Sequence, residues 1–447
     1  MQTRYRNILL VGALLLTLSV WAYASELVSC LGEPPECPDA EAALLDADSK
    51  QAAAGTNLPS GDKSLDKLSR QEIAALLSEN PLTLPAELFD DAPSLKAPYA
   101  PGKLKAEALQ AALNRLNMLR RIAGLQPVAL DDALNENAQY GAVLLAASTF
   151  SHSPAKPDDM DDDFYEKAKT ATSSSNIASG YSLTGAVDGF MNDSDSGNIS
   201  RLGHRRWQLN PAMGKIGFGY AGKRTTEKVF DKSAPAADYD FVAWPASGNF
   251  PSELFNVNQA WSVSLNLNRY AVPVEADLTV TLRRDDGKTW TFSGAESYTA
   301  ANAGLYFHVD TGGYGIRDCI IFRPDGVEDY SGTYTVSISG LKDKSGKDIS
   351  DFSYQVTFFD AAVSLSGAAV SGDGTVYVTV QGDPDAGAPL YFVAFDGNGK
   401  FLSAVVREIS SAGTYSATLN PTGAARVSVF LTDPDGRPLC LPASATL

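Results

Sequence analysis

Three histidines occur in the 447 residues, at positions 152, 204 and 308. Imidazole exchanges protons near neutral pH and binds divalent metals through a neutral ring nitrogen, so the settings of these residues bound the chemistry available to the chain. His152 and His204 stand at the ends of helical segments, beside turn residues from which a side chain can reach a cleft. His308 lies within Leu305-Tyr306-Phe307-His308-Val309, apart from any acidic cluster, and reads as an ordinary strand residue. A Ser-His-Asp arrangement could draw on Ser151, Ser153 or Ser175, with Asp193 orienting an imidazole. Such a triad needs its nucleophile on a strained turn facing oxyanion donors. No G-x-S-x-G elbow is present and these serines sit in polar runs, so the triad is disfavoured. An H-E-x-x-H zinc helix is absent as well.

Two acidic stretches invite a calcium reading. The run Asp158-Asp159-Met160-Asp161-Asp162-Asp163 lacks the alternating ligand spacing of an EF-hand and reads as a solvated, charged loop. Asp193-Ser194-Asp195-Ser196-Gly197-Asn198 matches a calcium loop only superficially. Trp207, Trp244 and Trp261 read as core or junction aromatics, because no spacing supports a row of exposed rings for stacking on sugars.

The elements that must position these residues follow from periodicity. Residues 25–62 carry Ala, Asp, Pro and Gly without a sustained period and read as a linker. Ser69-Arg70-Gln71-Glu72 is a capping box ahead of a short helix. Pro81, Pro85, Pro98 and Pro101 then predict a stalk or a strap over the next domain. Leu109, Leu113, Leu116, Leu119 and Ile122 recur at helical steps until Gly124 and Pro127. A second helix starts at Asp131-Asp132 and runs to about Ser148, and a third spans Leu183 to Met191. After Pro211 the period changes from 3.6 to 2, through Ile216-Gly217-Phe218 and Phe241-Val242-Ala243-Trp244. From Pro245 onward nearly every segment alternates, with Asp-Gly and Ser-Gly turns, which predicts sandwiches with a break near Ala361.

The middle of the chain resembles the CAP family (cysteine-rich secretory protein, antigen 5, pathogenesis-related). Leu116-Asn117 with Arg120, Gly124-Leu125 and Pro127 looks like its opening helix. Phe150-Ser151-His152 is similar to the first histidine motif, and Ser175-Asn176-Ile177-Ala178-Ser179-Gly180 to the segment usually written Gly-Glu-Asn-Ile-Ala-x-Gly. Phe190-Met191-Asn192-Asp193 matches the aromatic followed by an acid. Gly203-His204-Arg205, Leu209-Asn210-Pro211 and Ile216-Gly217-Phe218-Gly219 reproduce the second histidine motif and the strand after it. The order and spacing make the match specific. The resemblance implies an α-β-α layered CAP domain at 104–244, and the strand pattern of 245–360 and 361–447 resembles immunoglobulin- or fibronectin-like sandwiches, which makes the chain α+β. A signal peptide occupies 1–24 in this division, and 25–103 is a linker or stalk with one helix. The resemblance also implies a cleft of His152, His204 and Asp193, with Ser175 where the family usually carries a second acid. Two imidazoles and one carboxylate can supply three ligands to Zn²⁺, with water as the fourth. Loss of the other acid weakens affinity and removes a possible general base.

Arg4 and Arg6, the apolar run from Ile8 to Val20 and Ala22-Tyr23-Ala24 have the three-part layout of a secretory leader, in the manner of bacterial exported proteins. Leu27-Val28-Ser29-Cys30 offers a lipoprotein box as the alternative. No other segment is apolar enough to cross a membrane. Export makes the four cysteines candidates for disulfides: Cys30 and Cys37 flank a Gly-Glu-Pro-Pro turn, leaving Cys319 and Cys440, and all three pairings stay open. A net charge of -17 argues against nucleic acid as a partner, since no basic excess exists to displace counterions. The expected function is an extracellular binding module for a protein, peptide or lipid, with a weak metal cleft. A metal-assisted hydrolase and a purely structural surface protein are the alternatives.

Overall fold

The structure is a computed structural model describing residues 29–36, 60–298, 304–382, 384, 387–420, 422–434, 436 and 438–447. The leader and Cys37 lie outside the described residues. Short elements come first: β1 (Cys30–Leu31), α1 (Arg70–Glu79), β2 (Phe89–Asp91) and β3 (Lys103–Leu104). The capping box starts α1 as expected: Glu72 N donates to Ser69 Oγ at 3.3 Å, and Ser69 N donates to Glu72 Oε2 at 2.8 Å. Ile73 on this helix is buried in the main core. The stretch after residue 60 is therefore a strap packed onto the units that follow.

The apolar stripe of the first long helix, α2 (Ala106–Ile122), buries Leu113, Leu116, Leu119 and Ile122. After β4 (Ala129–Leu130) comes α3 (Asp132–Ala147), whose Asp131 cap accepts from Ala133 N and Leu134 N. Asp158, Asp159 and Asp161 lie in an exposed turn, as expected of the acidic run, while its last two residues enter a helix. Asp161 caps a further helix, α4 (Asp162–Thr172), by accepting from Asp163 N and Phe164 N, and Asp162 and Asp163 occupy its first turn. Carboxylates there face the unpaired amides and the positive end of the helix dipole, so the charges start a helix.

Next follow β5 (Ser175–Ser179), α5 (Leu183–Asn192), α6 (Gly203–Gln208), β6 (Lys215–Ala221) and β7 (Arg224–Lys228). They complete a five-stranded sheet in the order β1-β5-β7-β6-β4. Alternation along β6 separates two helical layers. Ile216 and Phe218 enter the main core with α2 and α5. Gly217 and Gly219 face α3, where an added Cβ would lie 2.3 Å from the backbone of Leu134 and of Ala138 respectively. The result is an α-β-α stack.

Two β-sandwiches follow. The first pairs β8 (Phe241–Trp244), β10 (Trp261–Leu265), β13 (Tyr306–Asp310) and β14 (Cys319–Arg323) in one sheet. Its other sheet holds β9 (Gly248–Pro251), β11 (Thr279–Arg284), β12 (Thr289–Ser293), β15 (Gly332–Ser339) and β16 (Phe352–Phe359). The strand β8 thus lies in this sandwich, paired antiparallel with β10. A single apolar core runs from Ile73 through the helical layer to Phe359.

The second sandwich has its own core of Val376, Val378, Leu390, Phe392 and Val429. Its sheets are β17 (Ser364–Val370), β18 (Thr375–Gln381) and β21 (Gly413–Thr418), against β19 (Ala388–Phe395), β20 (Phe401–Ile409), β22 (Arg426–Leu431) and β23 (Ala443–Thr446). The disulfides expected from export do not form among the described residues. Cys30, Cys319 and Cys440 carry free thiols. Cys319 belongs to a strand of the first sandwich and Cys440 to the core of the second, and separate cores keep them apart. No helix of the described residues is long and apolar enough to cross a membrane.

Candidate functional site

The turn after α5 sets the geometry around His204. Asp193 ends that helix in the left-handed conformation, φ 46° and ψ 23°, which sends its carboxylate toward the start of α6. The short helix α6 has no side-chain cap of its own. Asp193 Oδ2 takes that role from a distance, accepting from His204 N at 2.8 Å and from Arg205 N at 3.3 Å. Asp193 Oδ1 pairs with His204 Nδ1 at 2.7 Å, and both side chains are fully buried. A carboxylate facing Nδ1 holds the ring proton there, so Nε2 carries the lone pair. His204 Nε2 is buried with no hydrogen-bond partner among the described residues. The ring stacks on Phe190, centroids 5.2 Å apart.

Behind His204 lies a carboxylate that sequence reasoning missed. Glu227 on β7 sits opposite Asn176 on β5 and is completely buried. It accepts from Asn176 Nδ2 at 2.9 Å and from Gln208 Nε2 at 3.0 Å. Burial pushes its pKa up to about 7, against the lowering effect of the Gln208 and Asn176 bonds and of the nearby His204. The signal available in the sequence was slight: a lone Glu within Arg224-Thr225-Thr226-Glu227-Lys228, in a strand otherwise polar.

His152 is placed differently. Its Nδ1 faces Thr172 O at 2.6 Å, and its Nε2 faces the main-chain oxygen of Glu33. Carbonyl oxygens only accept, so both ring nitrogens are turned to acceptors. Ser175 donates to Ala171 O at 2.7 Å, and Ser153 N donates to Ser151 Oγ at 3.2 Å. The serines are thus bound locally, and no nucleophile–base pair forms with them. His308 lies on β13 with Glu275 Oε2 at 2.9 Å from its Nδ1.

This arrangement does not fit the zinc site expected of His152, His204 and Asp193. His152 has both nitrogens committed, and Asp193 spends its two oxygens on His204 and on the amides of α6. Only His204 Nε2 offers an unused lone pair, where a zinc site needs three ligands. Among the described residues no group of three His, Cys, Asp or Glu side chains is placed to hold a metal ion.

The segment 29–36 lies against this site. Gly32 N donates to Ile177 O at 2.9 Å, continuing the β1–β5 pairing of Cys30 with Ser179 and Leu31 with Ala178. Leu31 packs against the cluster of Ala178, Ala186 and Phe190, as Tyr181 does. Pro34 and Pro35 are buried. Pro34 rests on Gly203, and Trp207 Nε1 donates to Pro35 O at 2.6 Å.

Residues 113–230 match the family model CAP, the cysteine-rich secretory protein family. The chain carries a CAP domain. The match takes in His152, Ser175, Asp193, His204 and Glu227. No curated protein matches the sequence. Among solved structures, the tetra-tandem repeat in the extending region of a large adhesion protein is 15% identical, over 42% of this chain and 45% of that one, with a TM-score of 0.23. This chain thus covers less than half of that structure. A segment of two fibronectin type III domains from chicken tenascin is 12% identical over 42% of this chain and 91% of that one, at a TM-score of 0.24. Bovine butyrophilin is 8% identical over 42% and 90%, at 0.23. Likeness at that level carries no argument, and the sandwich assignment rests on the strand pairing.

The CAP domain is fastened to the first sandwich by the residues that follow its second histidine. Arg205, fully buried, donates to Met191 O at 2.7 Å and Asn192 O at 2.7 Å within the CAP domain, and to Ala260 O at 2.6 Å in the sandwich. Arg206 donates to Ile316 O at 2.7 Å and Gly312 O at 2.8 Å and pairs with Asp310. A separate cavity of about 240 Å³ opens between α5 and the sandwich, lined by Leu119, Tyr181, Met191, Trp244 and Leu254 among others, and by neither CAP histidine.

Proposed function

We propose that this chain is an extracellular interaction module whose CAP cleft binds a protein or peptide ligand without hydrolysing it, presented on two sandwiches at or near a cell surface. The observation that carries this reading is the state of the imidazoles. One faces carbonyl oxygens on both sides, and the other is tied to Asp193 and buried. A metal-assisted hydrolase needs an open coordination position and a water to activate. Export rests on the leader and on the usual extracellular setting of CAP domains. Zinc would require His152 to release Glu33 and Asp193 to release α6. Calorimetric titration with Zn²⁺ of wild type, His152→Ala and His204→Ala tests that requirement, and equal heats would remove the metal from the site.

The binding reading is tested by two measurements on the full chain. A screen against peptide and cell-wall substrates should show no turnover that His204→Ala abolishes. Selection from a displayed peptide library against the full chain carrying Gly32→Val, whose added side chain Ile177 excludes, should yield a consensus whose binding is lost when Gly203→Val is added. A side chain at 203 would meet Pro34 Cβ at 2.4 Å and so fills the cleft. Turnover dependent on His204 would sink the reading, as would a library that yields no consensus.

A further inference from the structure

The contacts of segment 29–36 are those of a peptide seated in a receptor. Three are main-chain contacts: Gly32 N to Ile177 O, Glu33 O to His152 Nε2, and Pro35 O to Trp207 Nε1. Main-chain hydrogen bonds at a sheet edge give affinity for any extended chain, and pockets for its side chains give selectivity. Here the edge is β5, covered among the described residues by β1 and Gly32.

Selectivity comes from three positions. Leu31 packs against the cluster of Ala178, Ala186 and Phe190, with Gly189 leaving room beside it. Gly32 admits no side chain, because a Cβ there would lie 2.4 Å from Ile177 Cγ1. Pro34 fits over Gly203, where the receptor in turn admits no side chain. Glu33 is read only through its main-chain oxygen: its side chain is 80% exposed, with Arg201 Nη2 at 4.0 Å. Proline lowers the entropy lost on ordering an extended segment, which suits it to such a site.

Resting on the binding function proposed above, we propose that the CAP cleft is a receptor groove for an extended Leu-Gly-x-Pro-Pro peptide of a partner protein, and that the chain's own residues 31–35 fill it in cis. A tethered occupant has a high effective concentration, so a free peptide of equal intrinsic affinity competes poorly until the tethered one is unseated. The partner's segment replaces the chain's own contact for contact, and no covalent step is involved.

The test uses the full chain with Gly32→Val, which Ile177 excludes from its seat. The probe is a labelled synthetic peptide of residues 30–36 carrying Cys30→Ser. It should bind the variant at least about tenfold more tightly than wild type. Adding Gly203→Val to the variant should abolish binding, and so should Gly32→Val in the peptide. In isotopically labelled wild type, the Gly32 amide resonance should move to its free-chain position when excess unlabelled peptide displaces the segment, because Gly32 N then loses Ile177 O. This readout holds even if Gly32→Val impairs folding. The inference fails if the amide signal at position 32 shows the segment unseated and the peptide still does not bind. It fails alone, leaving the binding function intact, if library selection yields a different consensus that still depends on Gly203.

Discussion

Glu227 is an acid whose charge the fold tolerates poorly. Its carboxyl is completely buried, and the cleft amides around it leave Asn176 Oδ1 and Gln208 Oε1 without partners. Rotation of either amide would let a neutral Glu227 donate to it, so protonation satisfies the cluster better than ionisation. The sign follows. A carboxyl whose pKa rises from its ordinary 4.5 to about 7 on folding adds stability below pH 4.5, and that stability is lost as pH rises through about 7. The full effect is roughly 3 kcal/mol. Glu227→Gln should remove this pH dependence, so urea unfolding of wild type and variant should diverge between about pH 4.5 and 7 in the variant's favour. Parallel stability curves across that window would show that Glu227 stays ionised when buried. Asp193 belongs to the same scale: one carboxylate serves as the cap of α6 and orients His204, which explains why an acid is needed there in the absence of metal.

Elements are held to each other by residues chosen for what they leave out. The helix α3 lies so close to β6 that only glycine fits at 217 and 219, and Asn135 and Gln139 then reach the strand. Asn135 Oδ1 accepts from Phe218 N at 2.9 Å, and Gln139 Oε1 accepts from Tyr220 N at 2.9 Å. Overpacking of this kind typically costs about 1–3 kcal/mol. Gly219→Ala should therefore lower the unfolding free energy by at least the upper end of that range, because the obstacle is helix backbone that cannot rotate away. Calorimetry would check it, and a change under about 0.5 kcal/mol would mean that α3 is free to shift. The acidic run makes a smaller and more specific prediction. Asp161→Ala should cost about 1 kcal/mol through loss of the α4 cap, whereas Asp158→Ala should cost nearly nothing.

At the scale of the whole molecule, the CAP domain and the first sandwich share one core and the second sandwich has another. Thermal unfolding should show two transitions, and proteolysis should release residues from about 361 onward while the bond after Trp244, itself buried, resists cleavage. Arg205→Met should cost at least about 3 kcal/mol in the larger transition only, since it leaves the carbonyls of Met191, Asn192 and Ala260 short of a buried donor. An equal effect on both transitions would mean that the two cores unfold together. Thiol labelling gives an independent check. Cys30 should react in the native state, whereas Cys319 and Cys440, both buried, should react only on unfolding.

Much of this architecture was legible before folding. Helices α1, α2, α3 and α5, the switch to strands and the CAP motifs all come from local periodicity and spacing, and local rules suffice for them. Asp193, His152 and His204 were identifiable as residues of one family pattern. The pairing of Asp193 with His204 followed from that pattern, but the partners of His152 did not, because a hydrogen bond between residues far apart in sequence leaves no trace in either neighbourhood. His152 faces Glu33, 119 positions away, and Trp207 reaches Pro35 across 172. Glu227 looked like one more polar residue in a polar strand until register set it opposite Asn176. The acidic run is exposed, as its charge suggests, but its position ahead of Phe164 and Ala168 also gives it a helix to cap. Residue types and their spacing state which groups exist and which elements carry them. Which lone pairs stay free is settled only when distant segments pack, since one main-chain oxygen arriving at an imidazole turns a metal ligand into part of a peptide seat.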